Sequence, residues 1–369
     1  MRSIVSKLSL MMIAVALLLG VQLAVPKANA VDIGNSIGLG VSLDTTYQYV
    51  SNGEVGGDIP ERGLYPEHND FSIDAITLSL EKVPTVGEGV MDQVGFRADV
   101  LFGEQSERLG FGFGSVYNDE GDPTDGAVSP YQAYINVLIP GGENALNIYA
   151  GQFTTLAGWE LIEAKDNTNI TRSLLFYRIP FAHSGVRATF SAGSLDLALG
   201  LSNDWDALDD ADDGKTFEGQ IALNFPNDGW LGATAYFGDT DGDTRSLFTV
   251  VGTMTIADSV TLVADFEYTS HDAGGDRWGI AGYAIASFSD AIALALRGEY
   301  VDESERVDTL GLELYEFTST LILTPFESVG NFETRLEYRY DKADGDDTYF
   351  AGEEDQHGFA VQLLYWLDV

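Results

Sequence analysis

Cysteine is absent from the 369 residues. No disulfide framework and no thiol chemistry can therefore be invoked. Basic residues are scarce, with 19 Lys and Arg against 58 Asp and Glu. A surface of that sign repels nucleic acid, whose recognition needs clustered positive charge. Histidine occurs four times, at His68, His183, His271 and His357. The adjacent pair His183-Ser184 is poor geometry for a base and its nucleophile, and no other set of nucleophile, base and orienting group stands out. Gly110, Gly112 and Gly114 do not sit in a strand–helix phosphate pattern. Catalysis and bound cofactors are accordingly not expected. Long apolar runs are also missing beyond the first thirty residues, where nothing approaches the ~18 to 20 residues of a membrane helix.

What is present begins with an export segment. Arg2 and Lys7 precede an apolar run from Leu8 to about Val25, and Ala28-Asn29-Ala30 has the small-x-small form of a cleavage site. Residues 1–30 are expected to be removed after Ala30, leaving 31–369 as one domain. Without Arg2, Lys7 and Lys27 that domain carries 16 basic and 58 acidic residues, a net of −42. It is not a disordered acidic chain, because 20 Phe, 17 Tyr and 5 Trp come with 45% hydrophobic residues.

Segments of about ten residues alternate between apolar and polar along the whole chain. In "NFETRLEYRY" (331–340), Phe332, Leu336, Tyr338 and Tyr340 share one phase, and Glu333, Arg335, Glu337 and Arg339 share the other. A period of two is a strand with two unlike faces. Sixteen such segments can be marked, from 37–51 and 70–83 through 94–103, 129–140 and 146–156 to 312–326, 331–342 and 356–369. The second changes phase between Ile73 and Ile76, which predicts a bulge. Connections alternate in length. Tight turns such as "NDG" (227–229) follow even-numbered segments, whereas long polar stretches such as 52–69, 104–128 and 157–183 follow odd-numbered ones; 84–93 is the exception. An all-β, antiparallel, up-and-down transmembrane β-barrel of about 16 strands predicts this asymmetry. Tyr47, Tyr49, Trp230, Trp278, Tyr300, Tyr338, Tyr340 and Tyr365 fall near segment ends, as interfacial girdles do. A soluble sandwich would show similar alternation without the loop asymmetry.

The run "GQFTTLAGWELIEAKDNTNITRSLLFYRIPFAHSGVRATF" (151–190), with "GFRADVLFG" (95–103), "QAYINVLIP" (132–140) and "GLSNDWD" (200–206), resembles the OmpL-like beta-barrel porin family of Gram-negative outer membranes. The segment Ser173 to Arg187 is its most specific part, and the resemblance covers roughly 90–226. It implies an outer-membrane channel and supplies no catalytic residues. The chain departs from many such barrels by ending in Leu367-Asp368-Val369 rather than Phe. Sixteen-stranded porins are often trimers, so a homotrimer is one implied assembly; no patch in the sequence names an interface.

Charges on the inward phase are the expected pore lining. Nine are acidic: Asp44, Asp99, Asp196, Glu218, Asp265, Glu267, Glu299, Glu333 and Glu337. Five are basic: Arg97, Arg187, Arg297, Arg335 and Arg339. Rings of side-chain charge set ion preference in pores, so the carboxylate excess predicts a mild cation preference. The alternative is a wall of internal ion pairs with no marked selectivity. By resemblance, the 157–183 segment, which follows the fifth strand, folds into the bore and constricts it. It carries Glu160, Glu163, Lys165, Asp166, Arg172 and Arg178 beside the apolar Leu174, Leu175, Phe176 and Ile179. The acidic runs 206–215, 238–244 and 344–347 are candidates for divalent cations, although none has EF-hand spacing. The expected partners are outer-membrane lipids and small hydrophilic solutes passing by diffusion. A non-conducting barrel with a structural, adhesive or receptor role is the competing reading.

Overall fold

The computed structural model describes residues 37–368, apart from 55–56, 87–88, 110–127, 142–143, 206–213, 241–242, 258, 307–310 and 326–330. Sixteen strands follow one another. The first eight are β1 (Gly38–Val50), β2 (Asp70–Lys82), β3 (Val94–Phe102), β4 (Val128–Gly141), β5 (Asn144–Thr154), β6 (Ala182–Ala192), β7 (Leu195–Ser202) and β8 (Thr216–Phe225). The rest are β9 (Gly229–Thr240), β10 (Asp243–Ile256), β11 (Val260–His271), β12 (Gly275–Ser289), β13 (Ile292–Asp302), β14 (Glu313–Leu323), β15 (Phe332–Asp344) and β16 (Asp355–Asp368). A short α-helix, α1 (Glu104–Arg108), follows β3.

Each strand pairs antiparallel with its neighbours in sequence, and β1 closes on β16 from Gly40↔Asp368 to Val50↔Gly358. Closure leaves no unpaired sheet edge, which is the condition for a sheet in lipid. The expected bulge lies in β2: the register with β1 shifts between Asp44 and Thr45, which pair Ala75 and Ile73. Asp74, the residue skipped, turns its side chain inward and is buried. The β8–β9 turn places Asn227 and Asp228 at φ 61° and 54° before Gly229, the left-handed pair that suits a tight hairpin.

Alternation sorts the side chains. Ile135, Leu199, Ile221, Ile280 and Phe317 stand exposed on the outside. Rings mark the end of the barrel that carries the long connections. Tyr47 meets Phe71 at 4.7 Å, Tyr300 lies between Trp278 and Tyr315 at 5.3 and 5.1 Å, and Tyr338 meets Phe359 at 5.2 Å. Inside, long connections fill much of the bore. Leu64, Tyr65, Ile162, Ile170 and Phe176 from two of them pack on Leu101 and Tyr131 of the wall. Leu174 and Leu175 pack on Val251, Val301 and Leu314. Burying each such side chain contributes about 1.5 to 3 kcal/mol, so these connections are held as firmly as a core.

Candidate constriction and its wall

After Thr154 the chain does not turn back to β6. It crosses the bore to the opposite wall and returns at Ala182. The crossing starts at Tyr236 of β9, whose hydroxyl accepts the Leu156 N–H at 2.8 Å. Gly158 then takes φ +73°, and a Cβ there would meet Ile179 Cδ1 at 2.7 Å. The left-handed φ favours glycine here, and a side chain would also have to displace the tip of Ile179. The next residue, Trp159, donates its N–H to Asp265 of β11 at 2.8 Å.

The far wall binds the main chain of this segment. Glu337 of β15 accepts the Ile170 and Thr171 N–H groups at 2.6 and 3.0 Å, and the Thr171 and Thr320 hydroxyls at 2.5 and 2.7 Å. Glu299 of β13 accepts the Leu174 and Leu175 N–H groups at 3.1 and 3.3 Å. Arg297 donates to the Thr171 carbonyl at 2.7 Å, Arg339 to the Arg172 carbonyl at 2.5 Å, and Arg335 to the Ala164 carbonyl at 3.0 Å. Buried charges persist only when paired and hydrogen-bonded. Here Glu316 lies between Arg297 (3.1 Å) and Arg339 (3.6 Å), and Arg297 also pairs with Glu160 of the segment at 2.8 Å.

The expected constriction residues divide into four roles. Arg172 is fully buried and staples the segment to itself, donating to the carbonyls of Leu161, Ile170 and Ile162. Arg178 reaches other connections, with Glu303 at 2.6 Å and Glu61 at 2.9 Å. Burial would lower the Arg178 pKa, but those two carboxylates hold it well above the ordinary value. Glu160 joins wall to segment, whereas Glu163, Lys165 and Asp166 form a charged cluster with contacts of 3.5 and 3.1 Å from the lysine. Burial raises the Glu163 pKa, partly offset by Lys165 and by the bond from Tyr131 at 2.6 Å.

The remaining expected residues take up inward positions with other tasks. Asp44 accepts bonds from Tyr65 and Gln362 at 2.8 and 2.7 Å. Arg187 and Glu218 pair at 2.5 Å, with the guanidinium 4.1 Å over Phe153. Glu333 pairs with Arg335 at 2.6 Å. Asp99 binds Arg97 at 2.6 Å and takes a bond from Gln132. Glu267 is buried near Gly158, and Asp196 accepts from Asn224 in an exposed position. The internal pairing that the alternative reading implies is partial along β15: Glu333 pairs with Arg335, but Glu337 binds the segment, and Arg339 turns to Asp341 at 2.7 Å. Sequence reasoning missed Glu316 and Asp341, although both share the inward phase of their strands. It also missed the inward course of 52–69, where Arg62 is fully buried on Asp341 at 2.6 Å.

With the segment bonded to β11 and β13–β15, space remains on its other side. A cavity of about 210 Å³ lies against β3, β4 and β5, lined by Arg97, Gln132, Thr154, Glu163, Asp166, Leu161, Phe176 and Phe181 among others. His183 is buried, its ring stacked on Tyr236 at 4.9 Å. Among the described residues no three or more His, Asp and Glu converge as a metal site. The acidic stretch 206–213 and residues 241–242 lie outside the described residues, as do Gly110, Gly112, Gly114 and the export segment.

Residues 36–368 match the family described as "Putative beta-barrel porin-2, OmpL-like". No curated protein matches the chain. Among solved structures, the anion-selective porin of Comamonas acidovorans is similar with a TM-score of 0.60 at 12% identity, over 90% of this chain and 99% of that one. The outer membrane channel DcaP of Acinetobacter baumannii gives 0.59 at 14% identity, over 93% and 100%. OmpT of Vibrio cholerae in its trimer form gives 0.57 at 13% identity, over 90% and 99%. These likenesses establish the fold, and the family match spans the whole barrel. The chain belongs to the OmpL-like beta-barrel porins of the bacterial outer membrane.

Proposed function

We propose that the protein lets small hydrophilic solutes and ions diffuse passively across the outer membrane, and that they pass between the 155–181 segment and the β3–β5 wall. One observation carries this reading: every wall bond that fixes the segment's main chain between Ala164 and Leu175 comes from β13 and β15, while the β3–β5 side keeps the cavity with Arg97, Gln132 and Thr154. The segment is then the constriction, set off to one side. The inward carboxylate excess supports a mild cation preference, as does the acidic balance of the chain as a whole. Residues 1–30 would direct export and be cleaved after Ala30. OmpT has a trimer form, and a homotrimer is proposed here too. Catalysis forms no part of this reading.

Planar-bilayer recording tests it. Discrete conductance steps from detergent-purified protein are expected, and a reversal potential of cation-selective sign in a KCl gradient. The packing of the long connections inside the barrel favours one alternative, a closed barrel whose loops act at the cell surface. Inserted, heat-modifiable barrels that pass no current would establish that alternative.

A further inference from the structure

The cavity beside the segment has three unlike sides. Arg97 supplies a cation: its Nε is fixed to Asp99 at 2.6 Å, but its terminal nitrogens lie 3.7 Å from Glu81 and 3.8 Å from Glu163. Those two contacts are too long to be hydrogen bonds. The Arg97 side chain is 26% exposed, against 0%, 2% and 1% for Arg297, Arg335 and Arg339, which hold the segment. Glu163 and Asp166 supply carboxylates, and the Asp166 side chain is 40% exposed. Leu161, Phe176 and Phe181 supply an apolar side, with Leu161 45% exposed.

Building on the porin reading, we propose that this cavity transiently binds α-amino acids with apolar side chains as they pass. An α-amino acid carries its carboxylate and ammonium on one carbon. It therefore needs a cation and an anion placed close together, and Arg97 Nη2 and Glu163 Oε1 are 3.8 Å apart. Inserted there, the zwitterion exchanges one loose ionic contact for two charge-assisted hydrogen bonds. Its side chain then lies on Leu161, Phe176 and Phe181. A simple organic anion meets Asp99, Glu163 and Asp166 without compensation, and a simple organic cation meets Arg97 and Lys165 in the same way. At about 210 Å³ the space is below the about 300 Å³ at which sites for drug-sized ligands begin, which suits a solute of this size.

The test uses the full barrel in a planar bilayer with phenylalanine, 3-phenylpropionate and 2-phenylethylamine as probes. Phenylalanine is expected to interrupt the KCl current reversibly and saturably. Its half-blocking concentration should lie about tenfold below that of either singly charged analogue, the factor expected for one charge-assisted hydrogen bond. Arg97→Gln and Asp166→Asn, each read against its own unblocked current, should raise that concentration by about tenfold. Asp166 is exposed on the segment, so its replacement does not burden folding. Equal block by 3-phenylpropionate would make the cavity an anion site, and equal block by 2-phenylethylamine a cation site; either overturns the proposal. So would the absence of block, or block that both substitutions leave unchanged. A wild-type barrel that conducts nothing in KCl alone fails the porin reading itself, and the amino-acid site falls with it.

Discussion

Glu337 engages four donors with two oxygens: two N–H groups and a hydroxyl from the crossing segment, and Thr320 of β14. Glu337→Gln keeps the volume but sets an NH₂ group against N–H donors. It should destabilise the crossing by about 2 kcal/mol, the scale of hydrogen bonds to a charged partner. A lower temperature of gel-mobility change and a noisier open-channel current would report it. Arg178 makes the corresponding tie at the loop end of the barrel. Burial alone would raise the Glu61 pKa, but Arg178 and the Tyr349 hydroxyl bring it below the ordinary glutamate value. A depressed carboxyl pKa means the tie is present above that ordinary value and is lost as pH falls through the lower one. Protease sensitivity of the long connections should therefore rise below about pH 4 and stay level between about 5.5 and 8. Arg178→Gln should remove the difference.

At the scale of elements, the strands were legible and the destination of the loops was only half so. Alternation marks segments such as 70–83 and 260–271, and the strands run Asp70–Lys82 and Val260–His271. Two-residue periodicity survives because each face meets a different medium. The phase change near Ile73 exposed the bulge for the same reason. What the sequence could not show is which wall receives the 155–181 segment. That choice depends on Glu299, Glu316, Glu337 and Asp341 lying on neighbouring strands, which is a fact of register rather than of local pattern. The charges expected to line the path also looked alike in the sequence. Arg97 and Arg297 both sit on the inward phase of their strands, yet one is accessible and the other is wholly enclosed by Glu160, Glu299 and Glu316. Deleting 165–177 removes most of the contacts on β13 and β15. Single-channel conductance should then rise severalfold; an unchanged value would show that the segment does not limit flow.

For the whole molecule, the placement of the few basic residues matters more than their number. Arg62, Arg187, Arg297, Arg335 and Arg339 are all committed to interior carboxylates. On the proposed reading, acidic groups then dominate what solutes meet at the mouth. Cation preference should be strongest in dilute salt and fade as the Debye length falls from about 30 Å at 0.01 M to about 3 Å at 1 M. Reversal potentials measured across that range check the sign and the trend. N-terminal sequencing of the membrane-extracted protein should begin at Val31, and light scattering in detergent should give three copies per particle.

Because most of the bonds from β13 and β15 go to carbonyls and amides, with Glu160 and Thr171 the side groups they also hold, the inserted strap is gripped chiefly by its spine. Its outward lettering is thereby released from the task of staying in place. Leu161, Lys165 and Asp166 could be rewritten, and the conduit retuned for another cargo, without loosening what keeps the strap seated.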